Sequence, residues 1–240
     1  MVRSSVDTYL VSATRERSTY FARSTLLGRS LEQFPAAMRP KLYLRSDNHG
    51  PTASGLATFY NSAIEALPSI GQVVFLHDDI YLHDWFLGER LQEALVMFDV
   101  VGLVGCITPA DDQPSATHTL NAELNPVRCS VSEAGVLNHF DPHRVSPNVY
   151  GPTPQSCGLV DGCFLACKLE TLKTTGLRFD PQFDFHCYDA DLCRAAQVLG
   201  LSIGTWPIAC THGSPGSFSS TWRQAALKFR QKWSPSPGAL

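Results

Sequence analysis

The run Val73-Val74-Phe75-Leu76-His77-Asp78-Asp79-Ile80 constrains this chain more than any other stretch. Val73 to Leu76 is apolar at every position and rich in β-branched and aromatic side chains, the pattern of a strand buried on both faces, as in a parallel sheet. Such a strand delivers its carboxyl end to the rim where α/β proteins bind ligands. A histidine and two carboxylates at that rim are costly to desolvate unless a positive group joins them. A divalent metal carrying a phosphorylated ligand is the obvious candidate. The competing reading is that Asp78 or Asp79 caps the turn or helix that follows.

The neighbouring segments set this strand in a framework. Thr8 to Ser12 reads as a first strand. Arg15 to Phe34 has helix-spaced apolar residues (Phe21, Leu26, Leu27, Leu31, Phe34), and Pro35 closes it. Lys41 to Leu44 is a second strand, followed by a polar turn to Pro51, and Leu56 to Leu67 is a second helix. Strand, helix, strand, helix, strand is the opening of a doubly wound sheet. The expected fold class is therefore α/β, a Rossmann-like single domain with a mostly parallel central sheet flanked by helices. Further on, Trp85 to Phe98 reads as a helix and Val100 to Ile107 as a strand. Residues 108–157, rich in proline, asparagine and histidine, predict a variable excursion with short strands, because a structureless loop of that length is unusual in a compact domain. Order returns at Leu159 to Leu169, with a helix over Asp184 to Leu199 and a last strand over Leu201 to Ile208. The domain is expected to span 1–218, leaving 219–240 as a tail that frays at its end.

Composition excludes several classes. The 240 residues are 44% hydrophobic, enough for a sizeable core. Lysine and arginine number 19 against 22 acids, a net charge of −3, and no basic block appears, so no nucleic-acid partner is expected. Between Met1 and Arg15 only Tyr9-Leu10-Val11 is apolar, which predicts neither a signal peptide nor an integral membrane segment. None of the eight cysteines stands in a Cys-x-x-Cys spacing. They read as buried free thiols, and a cytoplasmic location is expected.

Two further constellations carry acids or imidazoles. In Tyr188-Asp189-Ala190-Asp191-Leu192, both aspartates open an amphipathic helix, where acids complement the helix dipole. Asp189, held over a cleft, can instead serve as general base toward a hydroxyl. Asp191 points about 200° away around the helix, so orienting backbone groups or capping suits it better. In Cys210-Thr211-His212-Gly213-Ser214, a histidine just beyond a strand can reach a metal or a phosphate, although a lone histidine is more often structural. There is no Gly-x-x-x-x-Gly-Lys-Ser/Thr loop, no Gly-x-Gly-x-x-Gly after the first strand, and no Gly-x-Ser-x-Gly elbow. His139, Asp141 and His143 cluster in the excursion, where surface solvation is the simpler reading.

Taken together and in this order, the motifs resemble GT-A glycosyltransferases, specifically family 2-like enzymes of the streptomycin-biosynthesis-type subgroup. The resemblance spans about Thr8 to Phe218. It is carried by Phe75-Leu76-His77-Asp78-Asp79, by the helix through Tyr60-Asn61-Ser62-Ala63-Ile64, by Val160-Asp161-Gly162-Cys163-Phe164, and by Phe179-Asp180 with Tyr188 to Leu192. It implies a metal-dependent, inverting transfer of a sugar from a nucleotide-sugar donor to an acceptor hydroxyl. Asp79, His77 and His212 would hold Mn²⁺ or Mg²⁺ against the donor diphosphate. Asp47, Asp78 and Asn61 would bind the donor, and Asp189 would deprotonate the acceptor, which is a glycan, a small molecule or a protein. The family motif at this strand end is Asp-x-Asp or His-x-Asp; the sequence departs from its usual form at His77, which replaces the usual first aspartate, and at Tyr188, where many relatives carry glutamate. Two alternatives stand beside this reading. One is a metal-dependent phosphohydrolase or nucleotidyltransferase, for which Asp84 is the nearby second acid. The other is a nucleotide- or glycan-binding module that has lost turnover.

Overall fold

A computed structural model describes residues 6–129, 132–139, 147–214 and 216–234. Strands and helices alternate at first: β1 (Thr8–Ala13), α1 (Ser18–Ser24), α2 (Leu26–Gln33), β2 (Lys41–Arg45), α3 (Leu56–Ala66), β3 (Gln72–Leu76), β4 (Ile80–Leu82), α4 (Leu87–Met97), β5 (Val100–Gly102) and β6 (Val104–Cys106). The excursion then lays down short strands, as its length demanded: β7 (His118–Leu120), β8 (Pro126–Arg128), β9 (Glu133–His139), β10 (Pro147–Val149) and β11 (Gln155–Ser156). There follow β12 (Leu159–Val160), β13 (Phe164–Lys168), α5 (Leu169–Thr175), α6 (Tyr188–Val198), β14 (Ile203–Thr205), β15 (Cys210–His212) and α7 (Ser220–Trp233).

β3 is buried at every residue and lies inside a seven-stranded sheet of order β11-β14-β5-β13-β3-β1-β2. Its side chains alternate between two apolar layers. Val73 and Phe75 join Tyr60, Ile64, Leu192 and Phe229 on the face of α3, α6 and α7. Val74 and Leu76 join Leu27, Leu91 and Phe164 on the face of α2 and α4. Burial on both faces is what the uninterrupted apolar run encodes, and each such side chain contributes about 2 kcal/mol.

The expectation of a mostly parallel sheet is corrected. β1 is parallel to β2 and β3, and β14 to β5, but β13 is antiparallel to both β3 and β5, and β11 to β14. β13 is entered from β12 through a short link and not through a helical crossover, so nothing forces it parallel. A second sheet, β12-β6-β9-β15-β4 with β10 on β9, is mixed as well. The single strand expected over Val100 to Ile107 is divided between the two sheets as β5 and β6. At Gly102 a Cβ would stand 2.5 Å from Val160 Cβ, so glycine lets β12 cross close to the bend.

Two helical expectations also change. The helix from Arg15 to Phe34 breaks at Thr25, whose hydroxyl donates to Phe21 O (2.8 Å) and accepts from Gly28 N (2.9 Å). The break aims the start of α2 at the β3 rim, where Leu27 N–H donates to the Asp78 carbonyl at 3.0 Å. Residues 220–233, expected within a tail, form α7 and bury Trp222, Ala226 and Phe229. All eight cysteines are free, and all but Cys129 are buried. No helix among the described residues is long and apolar enough to cross a membrane. Asp141 and His143 lie outside the described residues.

Candidate active site

The β3 strand ends at Leu76, and His77 to Asp79 turn the chain into β4. β15 pairs antiparallel with β4, bringing His212 opposite Ile80, one residue from Asp79. Gly213 N–H locks this register by donating to the Asp79 carbonyl at 2.8 Å. His212 Nε2 then stands 3.3 Å from Asp79 Oδ1, and His77 Nδ1 stands 3.9 Å from the same oxygen. One ligand atom from each of the three residues falls within 4.8 Å of the others.

Asp79 Oδ1 is buried and makes no hydrogen bond. A buried carboxylate oxygen flanked by two imidazole nitrogens is a donor set that can hold a divalent cation. Two nitrogen ligands favour a transition ion such as Mn²⁺ over Mg²⁺, which prefers oxygen and water. Burial alone would raise the Asp79 carboxyl, but His212 and then His77 outweigh it and bring it down to about 2. Burial pulls His212 down, and Asp79 more than reverses this, so its imidazole is raised; burial prevails at His77, which is lowered.

The opposite part of the cleft is built by α6 and the loop between β12 and β13. Cys187 at φ 63° turns the chain sharply into α6, so the helix begins at Tyr188 and not at Asp184. Asp189 lies in the first turn, and its Oδ2 accepts the Gly162 N–H at 2.9 Å. Burial and then the neighbouring Asp161 raise its carboxyl to about 7, against the hydrogen bonds that lower it. Asp161 itself accepts from Cys163 N–H at 2.9 Å. The Tyr188 hydroxyl donates to the Gly162 carbonyl (2.8 Å) and meets His77 Nε2 at 2.9 Å. The peptide groups of Gly162 therefore touch both the acid and the imidazole regions.

These groups share one cleft of about 480 Å³, which includes His77, Asp79, Asp161, Asp189 and His212. Its wall is aromatic at Phe185, which stacks on the His77 ring with centroids 5.9 Å apart and remains 56% exposed. A larger hollow of about 730 Å³, bounded by α1, α2, Tyr81 and His83, contains no acid cluster.

Of the residues singled out from sequence, His77, Asp78, Asp79, Asp189 and His212 come together in this cleft. Asp78 is raised by burial, against the Thr14 hydroxyl beside it. Asp47 does not reach the cleft. It sits exposed in the turn after β2 at φ 54°, with its N–H on the Glu16 carbonyl, and Glu16 borders a smaller recess beside Asp78 and Asp79. Asn61 does not line the cleft: its amide donates to Phe179 O (2.7 Å) and accepts from Phe179 N (3.0 Å), which ties α3 to the segment before α6. Asp191 is corrected. It is 1% exposed and holds Lys232 Nζ and Trp233 Nε1, each at 2.7 Å, so it anchors α7 and caps nothing. Asp84 accepts from Phe86 N–H at the entry to α4 and does not line the cleft. Asp161 was quoted from sequence without a role. Its signal was the Asp-Gly pair between two apolar runs.

Two solved structures share this arrangement of elements. The mannosyltransferase PcManGT from Pyrobaculum calidifontis, in complex with GDP-Man and Mn²⁺, matches 98% of this chain over 67% of its own, with a TM-score of 0.52 and 12% identity. GalNAc-T7, with UDP, GalNAc and Mn²⁺, matches 96% of this chain over 48% of its own, with a TM-score of 0.59 and 10% identity. The chain thus spans about half the length of GalNAc-T7. Both neighbours are GT-A-type glycosyltransferases, and the fold of this chain is similar to theirs. No family model matches the sequence, and no curated protein does, so the streptomycin-type subgroup finds no support there.

Proposed function

We propose that the protein is a metal-dependent glycosyltransferase that moves a sugar from a nucleotide-sugar donor to an acceptor hydroxyl with inversion. The observation that carries this reading is one cleft with two specialised parts: a His-Asp-His cation site and, apart from it, an oriented carboxylate with raised proton affinity. Mn²⁺ held by His77, Asp79 and His212 would offset the negative charge that gathers on a departing diphosphate. Asp189 removes the acceptor proton. A base whose pKa lies near the working pH is both ionised and strong enough to do so. The Gly162 N–H holds one carboxylate oxygen and so orients the group toward the acceptor. Attack from the side of the sugar away from the diphosphate inverts the anomeric carbon. The donor recess between Asp78, Asp79 and Glu16 suits the nucleotide part, with Asp47 beside it.

The acceptor is uncharged in this reading. The cleft gathers Asp78, Asp79, Asp161 and Asp189, and its arginine, Arg128, is engaged by both oxygens of Glu133 at 2.9 and 2.8 Å. Asp84, the acid named for the phosphohydrolase alternative, instead serves α4 and Arg90. Isothermal titration with UDP, GDP, dTDP and CDP, with and without Mn²⁺, tests the proposal on wild type and Asp79→Ala. Mn²⁺-dependent binding of one nucleotide that vanishes in the variant is the expected result. A folded wild type that binds none of them overturns it.

A further inference from the structure

We propose that Tyr188 is a positioning residue that fixes the tautomer of His77, keeping its Nδ1 lone pair free toward Asp79 and His212. This rests on the metal-site reading above. The Tyr188 hydroxyl has one proton, and its two close partners are the Gly162 carbonyl at 2.8 Å and His77 Nε2 at 2.9 Å. A carbonyl can only accept, so the phenol proton lies toward Gly162. Toward His77 the phenol oxygen then has only lone pairs to offer, and His77 must be the donor from Nε2. If the phenol donated to His77 instead, two oxygens would face each other at 2.8 Å with no proton between them.

The consequence appears at the other ring nitrogen. With the proton on Nε2, a neutral imidazole carries its lone pair on Nδ1, the atom 3.9 Å from Asp79 Oδ1. Without that partner, the negative charge of Asp79 would favour the proton on Nδ1 and so consume the lone pair. Tyr188 opposes this from the far side of the ring. Metal-binding histidines commonly donate their second N–H to a fixed acceptor, and this sets both tautomer and ring orientation. Here the acceptor is a phenol, itself held by a backbone carbonyl and buried at 2% exposure. The two departures from the family pattern, His77 and Tyr188, are therefore bonded to each other and form one device.

The first test needs no variant. Long-range ¹H–¹⁵N NMR on metal-free protein, with His77 assigned by its loss in His77→Ala, reads which ring nitrogen is protonated. An Nε2–H tautomer is expected, and a proton on Nδ1 overturns the proposal. In Tyr188→Phe, which keeps the ring and removes the hydroxyl, Nδ1–H should appear. The Kd for Mn²⁺ alone, by titration calorimetry and by EPR of free Mn²⁺, should rise about 10- to 100-fold. In a His77→Ala background the same change should leave Mn²⁺ affinity as it was. Equal losses in both backgrounds, or wild-type affinity in Tyr188→Phe, overturn the proposal. A wild type that binds no Mn²⁺ sinks the metal reading itself, and the tautomer measurement separates that failure from this one.

Discussion

Asp189 carries opposite demands from chemistry and from stability. As the proposed base it must be ionised, and its carboxyl is raised to about 7 by burial and Asp161. Turnover is therefore expected to fall about tenfold per pH unit below that value and to level off above it, read from a pH–rate profile. Asp189→Asn should lower kcat by about 10²- to 10⁴-fold while leaving Mn²⁺-dependent nucleotide binding intact. The stability sign runs the other way. A carboxyl raised from 3.8 binds its proton more tightly in the native state, so folding stability drops as pH rises from 3.8 through about 7. Asp189→Asn should melt above wild type at pH 8, with the gap closing toward pH 4. At Gly162, a Cβ would stand 2.6 Å from the Tyr188 hydroxyl and 2.9 Å from Asp189 Cβ. Gly162→Ala is expected to weaken Mn²⁺ binding and turnover together, whereas Asp189→Asn affects turnover alone.

Among the elements, α7 is the one whose role the sequence hid. Lys232 Nζ bridges Asp180 and Asp191 at 2.7 Å each, and Trp233 Nε1 adds a second donor to Asp191. The C-terminal turn of α7 thereby clasps the helix that presents Asp189. Lys232→Met leaves a buried carboxylate short of its cation and should destabilise by about 2 kcal/mol, measured from the urea midpoint. Adding Asp191→Asn to it should recover part of the loss. Periodicity located α3, α4 and α6 to within a few residues because each has an apolar face against the sheet. It missed the break at Thr25, which follows from a hydroxyl choosing Phe21 O and Gly28 N and from a tertiary bond to Asp78. It left α7 within the tail although Trp222, Ala226, Phe229 and Trp233 recur at helical spacing, a stripe whose partner only the fold reveals. Asn61 shows a related ambiguity: an amide suits a ligand and a backbone peptide equally well, and only the fold shows that it bonds the Phe179 peptide.

At the scale of the molecule, the buried strand and its acidic rim were legible because a run apolar at every position has few other solutions. The antiparallel β13 was not, since strand direction is set by a connection whose path residue pattern does not record. A fold with both apolar layers on one sheet should melt as a unit and respond to whatever binds its rim. Mn²⁺ with the cognate nucleotide at about 100 times Kd should add about 2.7 kcal/mol. For a chain of this size that is a rise in Tm of about 5–10 °C, seen by calorimetry and abolished by EDTA. Gly162 has a wider meaning in this setting, because it lies in the short link from β12 of one sheet to β13 of the other. Its N–H and its carbonyl face different partners: turning over the amide plane before it would point the Asp161 carbonyl at the Asp189 carboxylate, and turning over the plane after it would take the acceptor from the Tyr188 hydroxyl. The link has one tolerable setting. A fault there should loosen the grip on the cation and on the base in every molecule at once, so counting active sites should return a full complement of uniformly slowed enzyme.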